Sequence, residues 1–371
     1  MIKYAKGCLG EEELIEVKEA FEYGYFGLAG KVLQFEDALK NYLDAKNAVA
    51  VNTGTSALHL SLDALGITKG DEVIVPSMTF VATYQVITLT GATPVSCDIY
   101  PENLLIDIND VKNKITDRTK AIIPVHYLGN PCNMDELLKL KEQYGIRIVE
   151  DAAHAIGSEY NGRKIGSFGD ITCFSFDSIK TITCGEGGAV ICQDPEFADI
   201  LRQKRLLGID RKSHTAEWKE RSWLYDVNMQ GYRYHMSNIN AAIGLGQLRK
   251  IDKFIARRRE ICARYDDAFS NIEGIRLLDV DYDRITPFMY VIRAENGKRD
   301  ELMSYLKNID IETSISYIPN HFHTLYKKEN ESLPHTEKAF EEILSIPLHY
   351  GLSDEDVEKV IAGVKSYFKQ V

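Results

Sequence analysis

Three short stretches of this sequence combine residue types that could do chemistry. The first holds Asp151, in VEDAAHAIG, at the end of an apolar run. A carboxylate that ends a buried strand is costly unless something cationic meets it, although a turn-capping aspartate reads the same way. The second holds Lys180, in FSFDSIKTITCGEGGAV. A lysine in a polar loop is ordinarily solvated. Here Ser175 and Ser178 precede it with hydroxyls, and Gly185, Gly187 and Gly188 follow, permitting close backbone approach to a ligand. A lysine of lowered pKa in a semi-enclosed pocket is the usual Schiff-base nucleophile. The third is NTGTSALHLSL, beginning at Asn52. A strand that ends at Asn52, a Gly turn and a helix from about Thr55 leave free amides at a positive helix end. With the hydroxyls of Thr55 and Ser56 this makes an anion site, although it is also a good N-cap.

Together the three supply an anion cradle, a buried carboxylate and a nucleophilic lysine, in that chain order. That set matches the needs of pyridoxal phosphate (PLP), whose phosphate, ring nitrogen and aldehyde they would meet. Competing motifs are absent. Neither GxxxxGK[ST] nor GxGxxG occurs, so nucleoside triphosphate and nicotinamide readings lack support.

The elements that must position these residues follow a strand–helix rhythm. AVAVN (48–52), EVIVP (72–76), TPVSCDI (93–99), AIIPVHYL (121–128) and IRIVEDAA (146–153) read as strands. Helical segments separate them, for example 134–144. The runs are continuously apolar, which suits a parallel sheet covered on both faces. ITCFSF (171–176) and GAVICQ (188–193) read as two further strands flanking the lysine loop. A polar stretch at about 208–235, containing Trp218 and Trp223, reads as an ordered excursion. A long helix is expected from about Ser237 to Phe269, with a break near Lys250. Near the N-terminus, residues 11–24 read as an amphipathic helix with Leu14, Ile15, Val17, Ala20 and Phe21 on its apolar side. The expectation is an α/β protein with a mostly parallel sheet in a large domain (1–250) and a smaller C-terminal α/β domain (251–371).

The 371 residues are enough for a large core plus that second domain. The net charge of −11 argues against a nucleic-acid partner. Seven cysteines without a CxxC pair read as free thiols rather than a disulfide framework or zinc site. No metal site, membrane span or leader is expected, and the protein reads as cytoplasmic.

The sequence resembles the PLP-dependent nucleotide-sugar aminotransferases, the DegT/StrS-like group with the aspartate aminotransferase-type fold. The likeness spans nearly the whole chain. It lies in NTGTSALHL (52–60), GDEVIVPSMTFVAT (70–83), GATPVSCDI (91–99), AIIPVHYLG (121–129), VEDAAHAIGSEYNGRKIGSFGD (149–170), FSFDSIKTITCGEGGAV (174–190) and GYRYHMSNINAAIGLGQL (231–248). The resemblance implies that Lys180 carries the cofactor and shuttles a proton. It implies Asp151 as partner of the ring nitrogen, His154 at the ring hydroxyl and Phe80 stacked on the ring. Thr55, Ser56 and Ser175 match the phosphate contacts. His235 falls where the second subunit of a homodimer reaches the phosphate, a position more often Asn or Arg. Ile239, Ala242, Ile243 and Leu245 offer an apolar face for that dimer.

The implied reaction moves the amino group of L-glutamate to a nucleotide-linked keto-deoxy sugar, with dTDP-4-keto-6-deoxyglucose the favoured acceptor. A 3-keto sugar or a GDP or UDP sugar is the alternative. The sugar dehydratase branch carries His in place of the lysine, so Lys180 speaks against it, and nothing supports a non-catalytic PLP-binding regulator. Tyr317, His321 and His323, in SYIPNHFHTLY, are candidate sugar contacts, or a polar loop. From 296 to 371 the only arginine is Arg299, which reads as part of a solvated helix start. Arg205 or Arg233 could serve glutamate instead.

Overall fold

A computed structural model describes residues 1–210 and 225–370. In chain order, α1 (Glu11–Tyr23) and α2 (Gly30–Leu43) precede β1 (Asn47–Val51), α3 (Gly54–Ala64), β2 (Glu72–Pro76), α4 (Val81–Leu89) and β3 (Thr93–Cys97). Then come α5 (Ile108–Lys114), β4 (Thr119–Ile122), α6 (Met134–Tyr144) and β5 (Arg147–Asp151). Two short strands, β6 (Glu159–Tyr160) and β7 (Arg163–Lys164), lead to β8 (Ile171–Ser175), β9 (Gly188–Cys192) and α7 (Pro195–Lys204). β10 (Ile209–Asp210) pairs with β11 (Asp226–Val227). Trp218 and Trp223 lie outside the described residues.

The central sheet has seven strands in the order β1-β9-β8-β5-β4-β2-β3. The pairs from β8 to β3 are parallel, and β9 alone runs against its neighbours. This is the expected α/β architecture with a mostly parallel sheet. β2 and β9 are buried at every position and β5 at four of five, which is why their sequences do not alternate. Helices cover both faces. One core face gathers Phe35, Leu39, Phe174 and Phe176, and another Leu60, Val75, Ile87 and Val149.

The expected long helix divides where the sequence suggested. α8 (Asn238–Arg249) ends, and α9 (Ile251–Phe269) begins, at Lys250. α9 and the later helices α10 (Arg299–Asn308), α11 (Pro334–Glu342) and α12 (Asp354–Gln370) accompany a second sheet, antiparallel throughout. Its strands are β12 (Ile275–Leu277), β13 (Tyr290–Ala294) and β14 (Ile343–Ile346). Its core contains Tyr265, Tyr290, Leu306 and Val360.

Two expectations change. α1 is amphipathic, but of its apolar residues only Ala20 is fully buried and the larger ones are exposed. Leu14 is 63%, Ile15 50% and Phe21 56% exposed, whereas Glu13 and Glu16 are buried. The inner face is ionic. Glu16 meets Lys31 and Arg249, each at 2.5 Å, and Glu13 meets Lys250 at 2.6 Å. Conversely Ala242 and Leu245 of α8 are buried within the chain. Arg299 is the second change. It is buried and donates to the Phe340 carbonyl at 2.9 Å, so it anchors α10 instead of standing in solvent.

Candidate active site

The residues with chemistry meet at the carboxyl ends of the parallel strands, where open α/β sheets place their ligands. Asp151 is the last residue of β5, and Ser175 of β8. Phe80 caps α4 beyond β2, and Thr53 caps α3 beyond β1. β9 runs the other way, so its start, Gly188, lies at the same end. Between them is a cavity of about 390 Å³.

Asp151 sits on its floor, buried. Its carboxylate accepts from the Thr83 hydroxyl at 2.8 Å and from the Ala153 amide at 3.2 Å. Burial raises its pKa despite those bonds, so a cation in the cavity would relieve it. Behind it His126 and Glu150 form a fully buried pair at 3.0 Å. His126 Nδ1 accepts the Cys132 amide at 3.0 Å, so Nε2 carries the proton that goes to Glu150. The His126 amide donates to the Asp151 carbonyl, fixing the strand end.

Lys180 is half-buried on the cavity wall, with Nζ 4.4 Å from the centre of the Phe288 ring. Burial lowers its pKa to about 8, against the pull of Asp151 and Asp177. Much of the amine is therefore neutral near pH 8, the form that adds to an aldehyde.

At the α3 end the N-cap Thr53 accepts the Ser56 amide at 2.9 Å. The two earlier amides, of Gly54 and Thr55, remain for a ligand. Gly54 is needed for close approach, since a Cβ there would lie 2.7 Å from the Cβ of Ser175. Thr55 and Ser175 line the cavity, as do Phe80, His154 and Tyr317. His154 stacks on Phe288, with centroids 4.2 Å apart, and its Nε2 lies 3.0 Å from the Tyr317 hydroxyl.

Five expected residues fall elsewhere. Ser56 is buried, and its hydroxyl turns back to the Thr53 carbonyl at 2.8 Å, completing the cap. His321 bonds Ser77 Oγ through Nδ1 at 2.7 Å and pins its loop to the end of β2. His323 is half-buried and does not line the cavity. His235 bridges Val51 at the end of β1, outside the chain's own cavity. Arg205 is committed to Glu36 and to the Ala50 carbonyl. Thr53, Thr83 and Phe288 escaped sequence reading. Thr83 carried a usable signal, because it falls one helical turn past Phe80 at the start of α4.

A family model, that of the DegT/DnrJ/EryC1/StrS aminotransferase family, matches residues 7–365. The chain belongs to this family. Over 387 aligned residues it is 38% identical to the spore coat polysaccharide biosynthesis protein SpsC of Bacillus subtilis (strain 168), covering 99% of this chain and 97% of the relative. The aminotransferase TlmJ from Streptoalloteichus hindustanus superposes with a TM-score of 0.94 at 35% identity, covering 100% and 99% of the two chains. The PLP form of Spr1654 from Streptococcus pneumoniae gives 0.92 at 31% identity, covering 100% and 99%.

The protein is thus a sugar aminotransferase of the DegT/StrS family and depends on pyridoxal phosphate. Its own residues fit that cofactor. The cavity offers a lysine of lowered pKa and a buried carboxylate short of a cation. It also offers the unpartnered Nδ1 of buried His154, and a Gly54 approach that a side chain would close. Among the described residues no helix is long and apolar enough to cross a membrane.

Proposed function

We propose that this sugar aminotransferase moves the amino group of L-glutamate to a nucleotide-linked keto-deoxy sugar. The favoured acceptor is dTDP-4-keto-6-deoxyglucose, which yields the 4-amino-4,6-dideoxy sugar. The carrying observation is the composition of the cavity wall. Among the described residues no arginine lines it, and Arg205 and Arg299 are committed to partners elsewhere. A cavity dedicated to dicarboxylates would carry a guanidinium on this wall, so glutamate in the first half-reaction must find its carboxylate partner outside it. The wall left over after the cofactor contacts, with Thr79, Ala82, Ile179 and Glu186, is neutral or acidic and so suits an uncharged sugar ring better than a dicarboxylate.

The roles proposed for these residues agree with their positions. Bound pyridoxal phosphate supplies an electron-withdrawing ring that stabilises the charge left at a carbon losing its proton. Lys180 holds the cofactor and then, as a free amine, moves the proton at Nζ. Asp151, kept in place by Thr83 and Ala153, holds the ring nitrogen protonated. His154 faces the ring hydroxyl, Phe80 covers the ring, and Thr55, Ser175 and the first α3 amides hold the phosphate. Ser56 serves that phosphate indirectly, by capping α3.

The working unit is a homodimer with shared sites, in which His235 reaches the partner's phosphate. The outward apolar side of α1 supports this, because exposed Phe26 continues it and Phe26 also receives the Asn238 amide, three residues beyond His235. A division into domains at Lys250 and a cytoplasmic location belong to the same reading. The free state of all seven cysteines agrees with the latter.

The test is purified protein with glutamate and either a panel of nucleotide keto-sugars or oxaloacetate, products read by mass spectrometry. Amination of the dTDP-4-keto sugar is expected. Efficient turnover of oxaloacetate with none of the sugars would sink the acceptor assignment and leave the cofactor chemistry standing.

A further inference from the structure

His154 and Tyr317 make a hydrogen bond whose direction can be worked out by counting protons. His154 is 5% exposed, and its imidazole is held neutral by burial and by the Lys180 amine nearby. A neutral imidazole has one N–H and one bare nitrogen. Nε2 lies 3.0 Å from the Tyr317 hydroxyl, and Nδ1 has no partner. The Tyr317 hydroxyl has no other partner among the described residues, and burial keeps it protonated. If Nε2 carried the proton, the phenol hydrogen would be stranded and Nδ1 would be a bare acceptor. If Tyr317 donates, the phenol is satisfied and Nδ1 becomes a donor on the cavity wall.

We propose that Tyr317 is a positioning residue whose hydroxyl donates to His154 Nε2, fixes the Nδ1–H tautomer and so aims an N–H at the ring oxygen of bound pyridoxal phosphate. The proposal rests on the reading of His154 given above. It gives Tyr317 a task other than touching the sugar. The structure supports the pair from both sides. Phe288 stacks on the imidazole at an interplanar angle of 17°. The loop carrying Tyr317 is pinned to the end of β2. Asn320 Nδ2 donates to the Ser77 carbonyl at 3.1 Å and to the Thr79 carbonyl at 2.8 Å, and His321 bonds Ser77 Oγ. His321 thus acts through Tyr317, and Tyr317 through His154. An N–H given to the ring oxygen drains charge from it and lowers the proton affinity of the cofactor nitrogen joined to Lys180.

The experiment uses holoenzyme labelled with ¹⁵N-histidine, the His154 signals being assigned by their loss in His154→Gln. A pyrrole-type Nδ1 and a pyridine-type Nε2 are expected, with Nδ1 moving when the cofactor is added. Spectroscopic titration should place the pKa of the Lys180-bound chromophore about one unit higher in Tyr317→Phe, a tenfold change in proton affinity. In a His154→Ala background, Tyr317→Phe should add nothing. A protonated Nε2 in the unaltered protein, or an unmoved chromophore pKa in Tyr317→Phe, would overturn the proposal alone. His154 signals indifferent to the cofactor would remove the reading of His154 as well.

Discussion

Lys180 and Asp151 are set against each other by burial. The cavity pushes the lysine pKa down to about 8 and the aspartate pKa up, so each is less charged than it would be in water. For the lysine the sign is direct. Below about pH 8 the ammonium dominates and cannot attack the cofactor aldehyde. Capture of pyridoxal phosphate by apoenzyme should therefore speed up with pH and level off above about 8. Stopped-flow absorbance measures this, and a rate flat from pH 6 to 9 would contradict it. Lys180→Ala should abolish transamination, and borohydride reduction of the unaltered enzyme should leave the cofactor on the Lys180 peptide. Asp151→Asn removes the charge that keeps the ring nitrogen protonated while keeping shape, so turnover should fall about 10²–10³-fold with little loss of fold. Near-full turnover would refute its role. Both residues stood out in the sequence because each ends or follows a strongly apolar strand, where a charged group needs a reason, and the structure brings the two to one cavity. Ser56 and His321 were placed less well. A short hydroxyl takes the nearest backbone partner and an imidazole the nearest hydroxyl, and only coordinates reveal which is nearest.

The strand pattern was legible because the strands are buried runs of β-branched residues with Gly and Pro between them. The break at Lys250 was legible too. The direction of α1 was not, since hydrophobic periodicity shows that a helix has two faces and leaves open which one the same chain covers. The turn between β1 and α3 shows what an element can demand of one residue. Gly54 brings the α3 end against Ser175, and the added Cβ of Gly54→Ala would meet that residue at 2.7 Å. The helix end must then shift away from the β8 end. Cofactor affinity should fall at least about tenfold, equivalent to about 1.4 kcal/mol, by equilibrium titration with PLP. Gly188→Ala should cost folding as well as binding, because its Cβ would lie 2.3 Å from the carbonyl of Thr53, the α3 cap that follows the β1–β9 pair. A thermal melt lowered by Gly188→Ala but nearly unchanged by Gly54→Ala would separate binding from folding; the reverse order would show the cradle argument to be wrong.

At the scale of the whole molecule, the unusual feature is a helix that buries two carboxylates, those of Glu13 and Glu16, and exposes Leu14, Ile15 and Phe21. The ionic side is not spare surface, because Glu16 is held by both Lys31 and Arg249. The apolar side is therefore the one left for a partner. With Leu9, Tyr25, Phe26 and Leu33 also exposed nearby in sequence, it resembles an interface patch more than scattered surface residues. A twofold dimer is the commonest closed way to cover such a patch. It would also give a task to His235, which does not line its own chain's cavity and has a buried, unpartnered Nδ1. Leu14→Asp with Phe21→Asp should give monomers by light scattering and lose activity with them. A fully active monomer would refute the dimer. Sharing of the sites has a separate test. Lys180→Ala and His235→Asp each damage a different half of a site built from two chains. Unfolded and refolded together, they should form hybrids in which one site takes Lys180 from one chain and His235 from the other. If half the dimers are hybrid, about a quarter of wild-type activity returns. Recovery no greater than the sum of the two parents would place Lys180 and His235 in the same subunit's site or remove His235 from the site.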